Sequence, residues 1–214
     1  MIKHTIQKTD IILLDSPKWE EWDQELSDYF SVFLHSANYK FSLGSGSSYM
    51  VKQIIDAERK KHGKSGLEKE IRKIRKTPVG GVRITSGGQL PASFSTNSDR
   101  RETIFPNFHQ IVHCVLPGPR IEKFEQRVES MISEAFQNVS AAHERQDKPL
   151  FFVLPVVGIN NFGYPPPYML QLYARQLTNW LAEKPVDGKI LLWLRKEHFE
   201  EMSKYLQNEM NKII

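Results

Sequence analysis

The chain has one cysteine, Cys114, in 214 residues, so no intrachain disulfide is available and a reducing cytosol fits its composition. It has no apolar run approaching the ~18 residues of a membrane-spanning helix. Its first residues, Met1-Ile2-Lys3-His4-Thr5, show no basic region leading into an apolar stretch. No membrane anchor and no secretory leader are therefore expected, and the expected location is cytoplasmic. Charge of one sign is scarce: 29 Lys and Arg against 25 Asp and Glu leave +4, too little to call for nucleic acid by itself. The seven histidines are scattered, and no His-x-x-x-His pair has a carboxylate beside it, so no metal centre is expected. No repeat or low-complexity linker divides the sequence. Its 40% hydrophobic content is expected to fill one core in a single domain over 1–214.

What is present is an alternation of short apolar runs and helical patterns. Ile11 to Leu14, Ser31 to His35, Gly81 to Thr85, His109 to Leu116, Leu150 to Pro155 and Ile190 to Leu194 read as strands. Tyr49 to Lys61, with Met50, Ile54 and Ala57 on one side, reads as a helix. So do Ile121 to His143, Pro167 to Glu183 with prolines suited to a first turn, and the C-terminal segment. Trp19 to Phe30 carries spaced aromatics between acids. Continuously apolar strands separated by helices imply an α/β protein whose sheet is covered on both faces. From Arg59 to Lys76 there are nine basic and two acidic residues. There Leu67, Ile71 and Ile74 form a buried stripe and leave the cations as a solvated face, with no aromatic to stack on bases. Ser95 to Asn107, rich in Ser, Asn, Asp and Arg, is expected to be a mobile surface loop.

Two segments carry the chemistry. After a strand ending at Asn38, the run Gly44-Ser45-Gly46-Ser47-Ser48 enters a helix. Five small residues allow backbone amides to approach an anion, and the helix start adds its positive dipole end. The second segment, Leu154-Pro155-Val156-Val157-Gly158-Ile159-Asn160-Asn161-Phe162-Gly163-Tyr164-Pro165, also leaves a buried strand and enters a helix. The two loops should open on one sheet edge and close on a diphosphate from opposite sides. A dinucleotide fingerprint would need glycine where Tyr49 stands, and a P-loop would need Lys after its last glycine; both fail. His113 and Cys114 are adjacent on a strand and point to opposite faces, which defeats a catalytic dyad.

These motifs resemble those of the macrodomains, which bind ADP-ribose. The resemblance rests on Asp15 after the first apolar strand and on Ser36-Ala37-Asn38 followed by Gly44-Ser45-Gly46. It continues with Gly80-Gly81-Val82-Arg83-Ile84-Thr85-Ser86-Gly87 and Leu90-Pro91-Ala92, with Ile111-Val112-His113 running to Gly118-Pro119, and with Phe162-Gly163-Tyr164-Pro165. It implies a three-layer α/β/α sandwich around a mixed, mostly parallel sheet. The implied ligand is ADP-ribose, an ADP-ribosylated protein or a nucleotide signal derived from ADP-ribose, with no further cofactor.

Carried over residue by residue, the resemblance makes Asp15, with Ser16 beside it, the acid for the adenine amine. It makes Asn38 the contact to the distal ribose, and the catalytic residue if the protein is an enzyme. Gly44, Ser45, Gly46, Ser47 and Ser48, with Tyr49, form one phosphate loop; Pro155, Val157, Gly158, Ile159, Asn160 and Asn161 form the other. Phe162 packs beside the distal ribose, Leu194 or Arg195 flanks the adenine, and His113 is structural. Glutamate at 158 is expected to block the diphosphate and leave the fold intact. The chain departs from the family at three points. Ser45 interrupts a run of three glycines, Gly158-Ile159-Asn160-Asn161 replaces a Ser-Thr-Gly run, and Ser48 stands where one hydrolase branch has an Asp. Serine is a poor base at neutral pH without a neighbour to take its proton. A reader is thus favoured, and a hydrolase that removes ADP-ribose from proteins or esters is the alternative.

Overall fold

A computed structural model describes residues 1–214 except 16–18, 23–25, 39, 42, 44–46, 89, 91–92, 99–100, 160–161 and 214, and describes residues 20, 93–98 and 101–105 by backbone only. The strands are β1 (Ile2–Ile6), β2 (Thr9–Leu14), β3 (Phe30–Ala37), β4 (Val82–Ser86), β5 (Ser93–Ser98), β6 (Arg101–Pro106), β7 (Gln110–Val115), β8 (Leu150–Pro155) and β9 (Gly188–Trp193). The helices are α1 (Ser47–His62), α2 (Gly66–Ile74), α3 (Phe124–His143), α4 (Pro166–Glu183) and α5 (Phe199–Met210). Pro166 and Pro167 occupy the first turn of α4, where a missing N–H costs nothing. Ser65 caps α2 by accepting from the Glu68 amide at 3.0 Å.

The main sheet runs β1-β2-β9-β8-β3-β7-β4. The five central strands pair in parallel, and only the outer β1 and β4 are antiparallel. Alternate residues of each central strand feed two cores. Leu150, Phe152 and Leu154 face the core shared with α3, α4 and α5. Phe151 and Val153 face the core shared with α1, α2, Trp19 and Trp22. Apolar runs without polar alternation follow from burial on both faces. The expected three-layer α/β/α sandwich around a mostly parallel sheet is the architecture found. No helix among the described residues is long and apolar enough to cross a membrane.

Two segments differ from the sequence reading. Ser95 to Asn107, expected to be a loop, instead contributes to an antiparallel hairpin of β5 and β6, with Phe94 opposite Phe105 and Thr96 opposite Thr103. Threonine and aromatic residues suit a two-stranded ribbon. The polar composition that pointed to a loop is compatible with a ribbon apart from the main sheet. Ile2–Ile6, unassigned from sequence, is an edge strand with burial only on alternate residues. Its His4 Nε2 lies 2.9 Å from Ser203 Oγ on α5. Cys114 faces the α3–α5 core, and burial pushes its thiol above the usual range, which leaves it unreactive.

The β8–β9 pairing begins at Gly188, at φ +152°, where a Cβ would stand 2.0 Å from the Leu150 carbonyl oxygen. Gly188→Ala should therefore destabilise the fold by about 1–3 kcal/mol, measured as a lower urea midpoint with unchanged slope.

Candidate functional site

Parallel pairing brings the carboxyl ends of β2, β9, β8 and β3 to one edge, and a cleft of about 140 Å³ lies there. Its lining follows the strand order. Asp15 comes from β2, Trp193 to Arg195 and His198 from β9 and the turn after it, Pro155 to Ile159 and Phe162 from β8 and its loop, and Ser36 and Ser47 from β3 and α1. Ladder bonds continue past the strand ends and hold this floor together. The Leu194 amide donates to the Leu14 carbonyl at 2.9 Å, and the Val156 amide donates to the Trp193 carbonyl at 2.9 Å. Trp193 Nε1 donates to the Asp15 carbonyl at 2.6 Å, which ties the ends of β2 and β9 by a side chain as well.

Of the residues expected from sequence, the cleft gathers Asp15, Ser47, Pro155, Val157, Gly158, Ile159, Phe162, Leu194 and Arg195. Ser16, Gly44, Ser45, Gly46, Asn160 and Asn161 lie outside the described residues. Asn38 follows β3 in a turn, its side-chain carbonyl accepting from the Lys40 amide at 2.9 Å. Neither Asn38, Ser48 nor Tyr49 lines the cleft; Tyr49 is exposed on α1. Ser36, Trp193 and His198, which do line it, were not singled out as ligand residues. A Trp at the end of a buried strand, next to Leu194 and Arg195, was the legible signal for Trp193.

The serines at the start of α1 divide into two sets. Ser47 Oγ accepts from the Ser36 amide at 3.1 Å and lies 2.6 Å from Ser36 Oγ. Two hydroxyl protons and one bond between the oxygens leave one proton for a ligand oxygen in the cleft. Ser48 turns the other way, into the core, with its oxygen 2.9 Å from His35 Nε2 and donating to the Ser36 carbonyl at 3.3 Å. His35 Nδ1 is 2.8 Å from His113 Nδ1, and His113 Nε2 is 2.8 Å from Thr85 Oγ1.

One arrangement of protons satisfies the whole chain. Thr85 donates to His113, His113 to His35, His35 to Ser48, and Ser48 to the Ser36 carbonyl. Both imidazoles are fully buried and neutral; burial drives His35 down to about 3 and His113 well below its ordinary value. The expectation that His113 is structural agrees with this placement. Ser48 does have an imidazole neighbour, but one that resists taking a proton, so its hydroxyl is held as a donor and is not an activated nucleophile.

The second loop is shaped by two buried tyrosines. Tyr173 Oη accepts from the Val157 amide at 3.3 Å, and Tyr164 Oη donates to the Pro117 carbonyl. Gly158 sits at φ +92°, and a Cβ there would lie 2.1 Å from the Tyr164 ring. The expectation that glutamate at 158 leaves the fold intact is therefore corrected: any side chain must displace Tyr164 or strain the backbone. Phe162 is half-buried, with its ring 6.2 Å from that of Tyr164, at the mouth of the loop.

No family model matches the chain, and no curated protein matches it in sequence. Among solved structures it is similar to the Oceanobacillus iheyensis macrodomain with MES bound, at TM-score 0.65 and 18% identity over 99% of this chain and 97% of that one. A mutant of that macrodomain with ADPR gives TM-score 0.59 and 19% identity over 99% and 97% of the two chains. The Trypanosoma brucei macrodomain in complex with ADP gives TM-score 0.58 and 13% identity over 93% of this chain and 69% of that one. The chain has the macrodomain fold.

Two outcomes follow from this geometry. In the unfolded chain His35 and His113 take up protons below their ordinary pKa of 6.5, whereas the folded state resists protonation of His35 until about 3. Stability should be complete above pH 6.5 and fall as the pH drops below it, by up to about 1.4 kcal/mol per pH unit for one histidine. Urea midpoints across that range read the slope, and His35→Gln should flatten it. Ser36→Ala should weaken an anionic ligand by about 1.5–3 kcal/mol, the worth of one charge-assisted hydrogen bond, measured by calorimetry.

Proposed function

We propose that the cleft binds ADP-ribose, or a ligand containing it, and that the protein acts as a reader of that group. The observation that carries this reading is the order of chemistry across the strand ends. A carboxylate (Asp15) and an indole (Trp193) stand at one end, a glycine-bearing loop (Pro155 to Ile159) in the middle, and paired hydroxyls (Ser36 and Ser47) at the other. A carboxylate accepts from an adenine amine, an indole supplies an apolar face for a base, and the loop and hydroxyls suit a diphosphate. The similar solved structures with ADPR and with ADP support a nucleotide ligand. On this reading Phe162, whose ring lies at the loop mouth, packs beside the distal ribose.

The preference for a reader over a hydrolase rests on α1. Its first turn carries no acid, and Ser48 is engaged by a buried neutral histidine. Neither provides a base at neutral pH.

Calorimetry should give tighter binding for ADP-ribose than for ADP or AMP, and an ADP-ribosylated protein should remain modified through long incubation with the chain. Equal affinity for the three nucleotides would remove the distal-ribose assignment. Release of ADP-ribose by the wild type, lost in Asn38→Ala, would make the protein a hydrolase.

A further inference from the structure

Resting on the ADP-ribose reading, we infer that the adenosine end of the cleft takes a phosphomonoester on the adenosine ribose, so that the preferred ligand is an ADP-ribose phosphorylated at that sugar's 2′ or 3′ hydroxyl. The sheet order carries the argument. β9 lies between β2, which supplies Asp15, and β8, which supplies the phosphate loop. A nucleotide laid from Asp15 to that loop must pass its adenosine ribose over the end of β9. The side chains lining the cleft there include Arg195 and His198.

Neither side chain has a tight partner among the described residues. Glu197 Oε1 is 3.7 Å from Arg195 Nη1 and 3.6 Å from His198 Nε2, both beyond good hydrogen-bond distance. The Arg195 and Glu197 side chains are 60% and 64% exposed and that of His198 15%, so this acid reaches both groups only loosely, from the solvent side. A phosphate dianion offers shorter, charge-assisted bonds to the same two groups and displaces the Glu197 carboxylate into water at little cost. An unmodified adenosine ribose presents only hydroxyls, which can use the guanidinium donors but leave the Arg195 charge unneutralised. On this reading the diphosphate lies one and two strands further on, against Gly158 and the Ser36–Ser47 pair, and leaves the Arg195 charge uncompensated.

The test is calorimetric titration of the full chain with ADP-ribose, with its adenosine 2′-phosphate and with its adenosine 3′-phosphate, each at low and at high salt. At least one phosphorylated ligand should bind about tenfold more tightly than ADP-ribose, and the ratio should shrink as salt rises. In the Arg195→Ala/His198→Ala double variant, with its fold checked by circular dichroism, the ratio should approach one. Equal or weaker binding of both phosphorylated ligands by a wild type that binds ADP-ribose overturns the inference and leaves the cleft reading standing. A ratio that survives in the double variant overturns it as well. A chain that binds none of the three ligands overturns both.

Discussion

Parallel pairing of β2, β9, β8, β3 and β7 is the constraint on which the rest depends. Parallel neighbours need crossovers, crossovers put helices on both faces, and helices on both faces require every central strand residue to be apolar or fully hydrogen-bonded. It also sends all five carboxyl ends to one edge, where each chain must turn back and its loop can face a ligand. The cleft thus arises from the same condition that makes Leu150 to Leu154 a continuous apolar run. Bonds such as Leu194 to Leu14 and Val156 to Trp193 carry the ladder into the loops and hold the lining residues at fixed spacing.

The His35–His113 pair is the exception to the apolar rule inside that sheet. Both residues sit at paired positions of β3 and β7 on the α1 face, among Phe33, Phe41 and Val115. An unbonded polar group there would cost about 2–7 kcal/mol. The chain from Thr85 to the Ser36 carbonyl leaves none of its groups unbonded. The consequence reaches the site. The network fixes Ser48 inward and the first turn of α1 against β3, which leaves Ser47 beside Ser36 at the cleft. At Ser48 the start of this helix is thus given to packing and orientation.

The sheet and its covering helices were legible in the sequence because burial on both faces erases polar alternation, and because prolines and glycines punctuate the crossovers. The β5–β6 hairpin was not, since its polar residues carry the same composition as a loop and only pairing distinguishes the two. Asp15, Leu194 and Arg195 were named through the resemblance, and all three line the cleft at the strand ends. The role of Ser48 was not legible. Its environment is set by His35, thirteen residues earlier, and by His113, which lies opposite His35 only once β3 and β7 have paired. The strain at Gly158 was hidden for the same reason, because Tyr164 folds back beneath it through a bond to Pro117.

The cleft's electrostatics are ordered along one direction. Asp15 is the acid at one end, Arg195 and His198 are the basic groups over β9, and the β8 loop and the Ser36–Ser47 hydroxyls are neutral donors beyond. On the proposed reading, a nucleotide entering in reverse would put its phosphates against the Asp15 carboxylate and its base against hydroxyls that need an oxygen acceptor. Like-charge contact of that kind costs several kcal/mol in a partly desolvated site. Orientation therefore follows from charge before shape is considered. On the proposed reading, a carboxylate beyond β2 and a guanidinium beyond β9 also separate ligands by where their negative charge lies: charge over β9 is welcomed, and charge over β2 is refused. That discrimination needs no movement of the fold, because the strands that carry the charged residues are hydrogen-bonded to one another through the floor of the cleft.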